Sequence, residues 1–166
     1  KTGRGRPWGE HHECCFCGTE RFFRPAYAGH LLSEWIPALE GVEAKLKLGA
    51  KVADIGCGLG TSSLLMAEQF PNSTIHAYDF HAPSIEEAKR RAMEKGLSNL
   101  EFFVSDAASV SREGYDLACF FDAWHDMGDP VGVAKAIKES LADDGIFMVV
   151  EPMALDGLKN NLENNP

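Results

Sequence analysis

Residues 54–60 read DIGCGLG: a carboxylate, then three glycines on alternate positions, directly after the short run KVA. Glycine permits positive φ and lets a ligand approach the backbone with no Cβ in the way. A glycine cluster alone carries little weight, so its neighbours decide the reading. From position 50 onward, short β-type runs alternate with helical patterns. Strand-like runs fall at 50–56, 73–80, 99–106, 115–122 and 145–152. Helical patterns occupy 61–70, 82–96 and 130–145. In the second of these Ile85, Ala88, Ala92 and Met93 recur at helical spacing, with Gly96 as a stop. In the third, Asp129 is placed to cap, Pro130 suits the first turn, and Gly145 ends the exit loop. Strands alternating with helices predict right-handed crossovers and a mainly parallel sheet with helices on both faces, an α/β doubly wound fold.

The chain has 166 residues, enough for one domain with a real core and too few for two comfortable ones. Hydrophobic residues make up 45% of it, which excludes a disordered chain. A net charge of -9 argues against a general nucleic-acid binder, which needs a basic face. No apolar stretch is long enough to cross a bilayer, and no signal peptide is visible, so the cytoplasm is the expected compartment. The odd number of cysteines, five, does not suggest a disulfide framework. Three regions are expected: an N-terminal arm over 1–25, loosely ordered over 1–20; a core over 26–152 with a leading helix broken near Pro37; and a polar tail over 153–166.

In an open α/β sheet, ligands bind outside the carboxyl ends of the strands, where strand order reverses. The glycine turn leaves the first strand at that place. A dinucleotide site wants G-x-G-x-x-G with a pyrophosphate at the helix N-terminus. Here Gly56, Gly58 and Gly60 bring the third glycine one residue early, and Asp54 is expected close to where the pyrophosphate would lie. That charge would repel a phosphate and attract an ammonium group. Asp79 ends the second strand, where a carboxylate accepts from both ribose hydroxyls of either ligand class. Asp106 ends the third, placed to accept from an adenine amino group while the Ala107 N–H meets a ring nitrogen. Three acids on adjacent strand ends suit a cationic nucleoside such as S-adenosylmethionine (SAM), which carries an ammonium, a sulfonium and no phosphate.

These stretches together resemble class I SAM-dependent methyltransferases. VADIGCGLG is similar to the family's first motif, AYDF to its ribose-binding acid, VSDA to its adenine-binding turn, and YDLACFFDAWHD to its fourth strand and active-site lip. The resemblance covers about 22–152, in the family's order. RFFRPAY and FFDAWHDMGDP more narrowly resemble bacterial methyltransferases that often carry an N-terminal winged-helix segment. The resemblance implies strand order 3-2-1-4-5, SAM as cofactor, and a C-terminal antiparallel pair that this chain stops before. Carried onto these residues, it implies that Asp54, Gly56, Gly58 and Gly60 line the methionine half. Asp79 and Phe80 would hold ribose and adenine, Asp106 and Ala107 the adenine edge, and Phe121 and Asp122 would lie near the sulfonium.

Methyl transfer is an in-line displacement on an activated carbon, so alignment and exclusion of water matter more than a catalytic triad. If the acceptor must lose a proton, His125 is the best-placed base, with loop capping as its structural alternative. Asp122 is either a contact to the methionine ammonium or a solvated strand end, and Glu151 either sees the acceptor or is an ordinary strand-end acid. Arg24, ahead of the core, either pairs with the methionine carboxylate or stays at the surface. The string HHECCFC at 11–17 holds ligand-type residues, but neighbours so close do not form one tetrahedron, and an exposed arm with oxidisable thiols is the preferred reading, with no metal. The expected function is methyl transfer from SAM to a small-molecule acceptor, without nucleic acid or membrane, and with a homodimer through the exposed edge of the fifth strand. The rivals are a SAM-binding module without useful catalysis and an NAD-dependent oxidoreductase.

Overall fold

The computed structural model describes residues 6–165, so the first five residues of the expected arm and Pro166 of the expected tail lie outside it. Five strands form one parallel sheet in the order β3-β2-β1-β4-β5. They are β1 (Lys51–Ile55), β2 (Thr74–Asp79), β3 (Leu100–Val104), β4 (Tyr115–Phe121) and β5 (Leu141–Val150). The order reverses beside β1, so the chain builds β1, β2 and β3 outward in one direction and β4 and β5 in the other. This is the sheet order the sequence implied.

Both faces are covered. Val52, Ile75, Ala77 and Leu117 pack with α3 (Thr61–Gln69), α4 (Ala82–Glu94) and the N-terminal helices into the larger core cluster. Ala53, Ile55, Ala118 and Phe120 face α5 (Pro130–Ser140), which buries Val133 and Ile137. Helix α4 buries Ile85, Ala88 and Ala92 as the periodicity required, but Met93 is 76% exposed, one position off the core-facing stripe. Gly96 follows the helix at φ 67°, and Asp129 caps α5 by accepting from the Gly132 N–H at 2.9 Å.

Two expectations are corrected. Helix α5 stops at Ser140, not near Gly145. Leu141 already pairs with Tyr115, while the next pair along is Leu117 with Ile146, so Ala142 to Gly145 form a bulge inside β5. Lys45 ties this bulge down through Asp144 at 2.6 Å, and a Cβ on Gly145 would lie 2.4 Å from the Tyr115 carbonyl oxygen. The second correction is at the N-terminus. Helix α1 (Glu13–Ala26) replaces the loose arm from Glu13 onward, with the His12 ring accepting from the Cys14 N–H at its start. Pro25 sits inside it, and the chain widens to π-helical spacing over Tyr27–Trp35. A proline lacks an N–H and crowds the preceding turn, which accounts for the change of spacing. The helix then breaks around Pro37, as expected, before α2 (Val42–Leu48). Beyond β5, α6 (Leu158–Asn164) buries nothing, and no helix among the described residues is long and apolar enough to cross a membrane.

Candidate functional site

The turn after β1 is built by glycines in left-handed conformation. Gly56, Gly58 and Gly60 have φ of 74°, 53° and 78°, a region that side chains with a Cβ rarely adopt. Their surroundings separate their roles. A Cβ on Gly56 would meet the Ala123 methyl at 2.6 Å, and one on Gly60 would meet Ala88 at 2.9 Å and the Phe102 ring at 3.0 Å. Gly60 is therefore a packing glycine between α4 and β3. Gly58 has no atom within 4 Å of that position, so its backbone faces open space.

That space is a cavity of about 510 Å³ outside the carboxyl ends of β1, β2, β3 and β4. Asp79, only 8% exposed, lines it at the end of β2. Its carboxylate accepts from the Gly58 N–H and the His81 N–H, each at 2.8 Å. Each carboxylate oxygen keeps a lone pair in reserve, so the group is fixed and still able to accept from a ligand.

Asp54 sits elsewhere than its expected place. It faces α3 on the same side of β1 as Val52, and it does not line the cavity. One oxygen accepts from the hydroxyls of Ser62 and Ser63 at 2.6 and 2.5 Å; the other, Oδ1, is buried without a partner. Burial pushes this carboxyl up to about 6, with the two serines pulling against that and Asp79 adding to it. Its charge therefore acts from beneath the glycine turn, through the first turn of α3.

The opposite wall comes from the segment ahead of the core. Phe16, Thr19, Glu20, Phe23 and Tyr27 line the cavity along one face of α1 and its π-helical continuation. Glu20 holds this wall to the core, accepting from the Thr61 hydroxyl at 3.0 Å and from Arg91 at 3.4 Å. Phe16 packs on the His81 ring at 4.4 Å and on Trp8 at 5.2 Å between centroids. Tyr27 lies 5.7 Å from Phe121, and burial, with Asp54, Asp122 and Glu151 near, holds its hydroxyl strongly in the neutral form.

At the lip, Asp122 is the one described non-glycine residue with positive φ, 54°. Burial lifts its carboxyl to about 6; nearby His125 opposes this, while Glu151 and Asp126 add to it. Glu151 grips the loop after β4, one oxygen accepting from the Ala123 and Trp124 N–H groups at 3.1 and 2.6 Å. Its other oxygen meets His125 Nδ1 at 2.5 Å, and that contact raises the imidazole above its ordinary range. Asp122, His125 and Glu151 offer ligand atoms within 4.8 Å of one another, the one such grouping among the described residues. A cation there would have to displace the His125–Glu151 contact, because the other Glu151 oxygen already serves two backbone donors.

Of the residues singled out from the sequence, Gly56, Gly58, Asp79, Phe80, Ala107, Phe121 and Asp122 line the cavity. Asp54, Gly60, Asp106 and His125 do not. Asp106 is exposed and caps the 3-10 turn Ala107–Ser109, accepting from the Ala108 N–H at 2.9 Å and the Ser109 hydroxyl at 2.9 Å. His125 stands at the surface beside the lip, and Arg24 is 59% exposed. The wall formed by α1, Glu20 above all, lies outside the residues singled out from the sequence. The recurrence of residues 16, 19, 20, 23 and 27 at helical spacing is the signal that would have found it.

A family model described as "Methyltransferase domain" matches residues 46–166. The chain is 31% identical over 154 residues to the tRNA (guanine-N(7)-)-methyltransferase of Escherichia coli O6:K15:H31, covering 78% of this chain and 62% of the relative. It is 28% identical over 107 residues to the (S)-coclaurine N-methyltransferase of Thalictrum flavum, covering 64% of this chain and 30% of that protein. It thus spans less than two thirds of either relative. Among solved structures, a coclaurine N-methyltransferase bound to N-methylheliamine and SAH superposes with TM-score 0.65 at 21% identity, over 75% of this chain and 35% of the other. With a matched family model over most of its length, and the sheet order and glycine turn described above, this chain belongs to the methyltransferase domain family and has the class I methyltransferase fold.

Proposed function

We propose that this chain binds SAM in the cavity and directs its methyl group to a small acceptor at the Asp122–His125 lip. The observation that carries this reading is Asp79: a nearly buried carboxylate, fixed by two backbone donors, with spare acceptor capacity toward an open cavity. The fit is supported by Gly58, whose backbone stands open to the cavity, and by the orphaned Oδ1 of Asp54 under the same turn. Four acids, Glu20, Asp79, Asp122 and Asp126, line the space against one arginine, Arg6, a balance that favours a cationic ligand over a pyrophosphate. The acid the sequence reading assigned to Asp54 is thus supplied from other positions.

On this reading Asp79 holds the ribose hydroxyls, and Phe80 and Ala107 flank the base. Asp106 acts indirectly, fixing the turn that orients Ala107, and Asp54 does so through Ser62 and Ser63. When bound, the cofactor supplies a methyl group already activated by its positive sulfur. The chain aligns donor and acceptor and keeps water out. Phe121 and Tyr27 give that region an apolar wall, and Asp122 places a carboxylate at its rim. His125, with Nδ1 held by Glu151, has Nε2 as the nitrogen that takes a proton when an acceptor loses one. The acid-rich lip and the net charge of -9 favour a small acceptor over a polyanion.

Calorimetry with S-adenosylhomocysteine (SAH) and NAD tests the cofactor. SAH binds more tightly on this reading, and tighter NAD binding would overturn it. Transfer of radiolabelled methyl from SAM to a panel of small amines and phenols, run beside transfer RNA, tests the acceptor. Label appearing in RNA alone would refute the small-molecule assignment.

A further inference from the structure

Of the string His11–Cys17 only His11 and Phe16 line the cofactor cavity, and the cysteines beside them have no part in it. Cys14 and Cys17 are spaced C-x-x-C at the start of α1, and both thiols are exposed. Phe16, between them, turns the other way: it lines the cavity and packs on His81 and Trp8. The remaining cysteines differ, for Cys15 is half-buried and Cys57 and Cys119 are buried. One short turn of helix therefore carries two solvent-facing thiols outside and one cavity-wall ring inside.

We propose that Cys14 and Cys17 form a reversible disulfide that controls the cofactor cavity by moving Phe16. The reaction is thiol–disulfide exchange with a low-molecular-weight disulfide such as oxidised glutathione. A Cys14 or Cys17 thiolate attacks a glutathione sulfur and expels one glutathione thiolate, forming a mixed disulfide. The second cysteine thiolate then attacks the protein sulfur of that bond and expels the other. One sulfur–sulfur bond forms in the protein and one breaks in the oxidant. Two electrons pass to the oxidant, and the two protons from the cysteines end on the two glutathione thiols.

Geometry links this bond to the cavity. Residues three apart on a helix hold their Cβ atoms about 5–6 Å apart. A disulfide needs about 3.5–4.5 Å. The bridge therefore contracts the first turn of α1, at the Cys14 N–H that the His12 ring caps. Phe16 lies inside the contracted segment, so its packing on His81, next to Asp79, is disturbed. The exposed thiols let the oxidant react without entering the cavity, and this inference rests on the cofactor reading only for the identity of the ligand affected.

The experiment oxidises the chain with glutathione disulfide, maps the bridge by peptide mass spectrometry, and measures SAH binding by calorimetry before and after. A Cys14–Cys17 bridge is expected, with SAH binding weakened at least about tenfold and restored by dithiothreitol. The Cys14→Ser/Cys17→Ser double variant should bind SAH in either condition, and Cys15→Ser should still switch. Amide exchange over residues 13–20 gives a readout independent of any ligand, and the bridge should change it. A different pairing, no pairing, or a bridge that leaves the SAH affinity of a binding-competent chain unchanged overturns the proposal. If the reduced chain fails to bind SAH, the cofactor reading falls, while the bridge and the exchange change still decide the thiol switch.

Discussion

Replacing Asp79 with Ala tests the site at its most constrained point. The carboxylate holds the Gly58 and His81 N–H groups at 2.8 Å each and, on the proposed reading, accepts two ribose hydroxyls. Hydrogen bonds to a charged group are worth about 1.5–3 kcal/mol each, so two ligand contacts amount to about 3–6 kcal/mol before water replaces them. At 1.4 kcal/mol per tenfold, even partial replacement leaves a loss of at least about tenfold in SAH affinity. The same substitution strands two backbone donors, one in the glycine turn and one at the start of α4, so stability should fall by about 1–3 kcal/mol for each donor that water does not reach. Asp79→Asn separates the two effects. Its amide oxygen still accepts from one backbone donor, so folding recovers in part, while the charge that strengthens the ribose contacts is gone. Calorimetry gives the affinity and urea unfolding the stability. An SAH dissociation constant unchanged in Asp79→Ala would refute the placement of the ribose at this carboxylate.

Four further outcomes are expected. Gly58→Ala strains a left-handed backbone but meets no atom and puts its methyl toward the cavity, so it should weaken SAH binding more than folding, whereas Gly60→Ala adds collisions with Ala88 and Phe102 and should lower the melting temperature further than Gly58→Ala; the reverse pattern would refute the separation of roles. Asp54, raised on folding from 3.8 to about 6, contributes stability that is full below pH 3.8 and declines as pH rises to about 6, a change of about 3 kcal/mol. Asp54→Asn should flatten that decline in urea midpoints taken from pH 3.5 to 7, and an unaltered slope would count against the buried carboxyl. Glu151→Gln removes the negative charge behind the contact that raises His125, so the imidazole should titrate at lower pH in NMR, and no change would break the pair. β5 lies at the sheet edge with Val149 41% exposed, so light scattering at high concentration should show a dimer or larger species, and a clean monomer would argue against edge pairing.

The sheet was legible because each strand is a short run of apolar or β-branched residues ending in an acid or glycine. The order of those runs, through the resemblance they carry, implied the topology. The direction in which a strand residue points was not. In a parallel sheet buried on both faces, Val52, Ala53 and Ile55 are all apolar or small, so no alternation marks a side. Nothing in the pattern around Asp54 therefore shows that it faces α3 and not the ligand. Helix α1 is hard to read for a different reason. It buries no residue fully and lines a cavity instead of filling the core, so polar and small residues interrupt its apolar face. The end of α5 is not legible because the residues of the β5 bulge, Ala-Asp-Asp-Gly, read equally well as a helix exit.

The wall made by α1 has a kinetic meaning. It is held to the core by aromatic contacts and by one partly buried carboxylate, Glu20, shared between Thr61 and Arg91. An element with so little burial opens at lower free energy than the sheet it covers. A ligand that touches both surfaces stitches them together, and its escape then waits on the helix letting go. Salt weakens the Glu20–Arg91 contact and should shorten the ligand's residence time more than it changes its rate of arrival. The dissociation rate, more than the equilibrium constant, would then report how firmly this helix is seated.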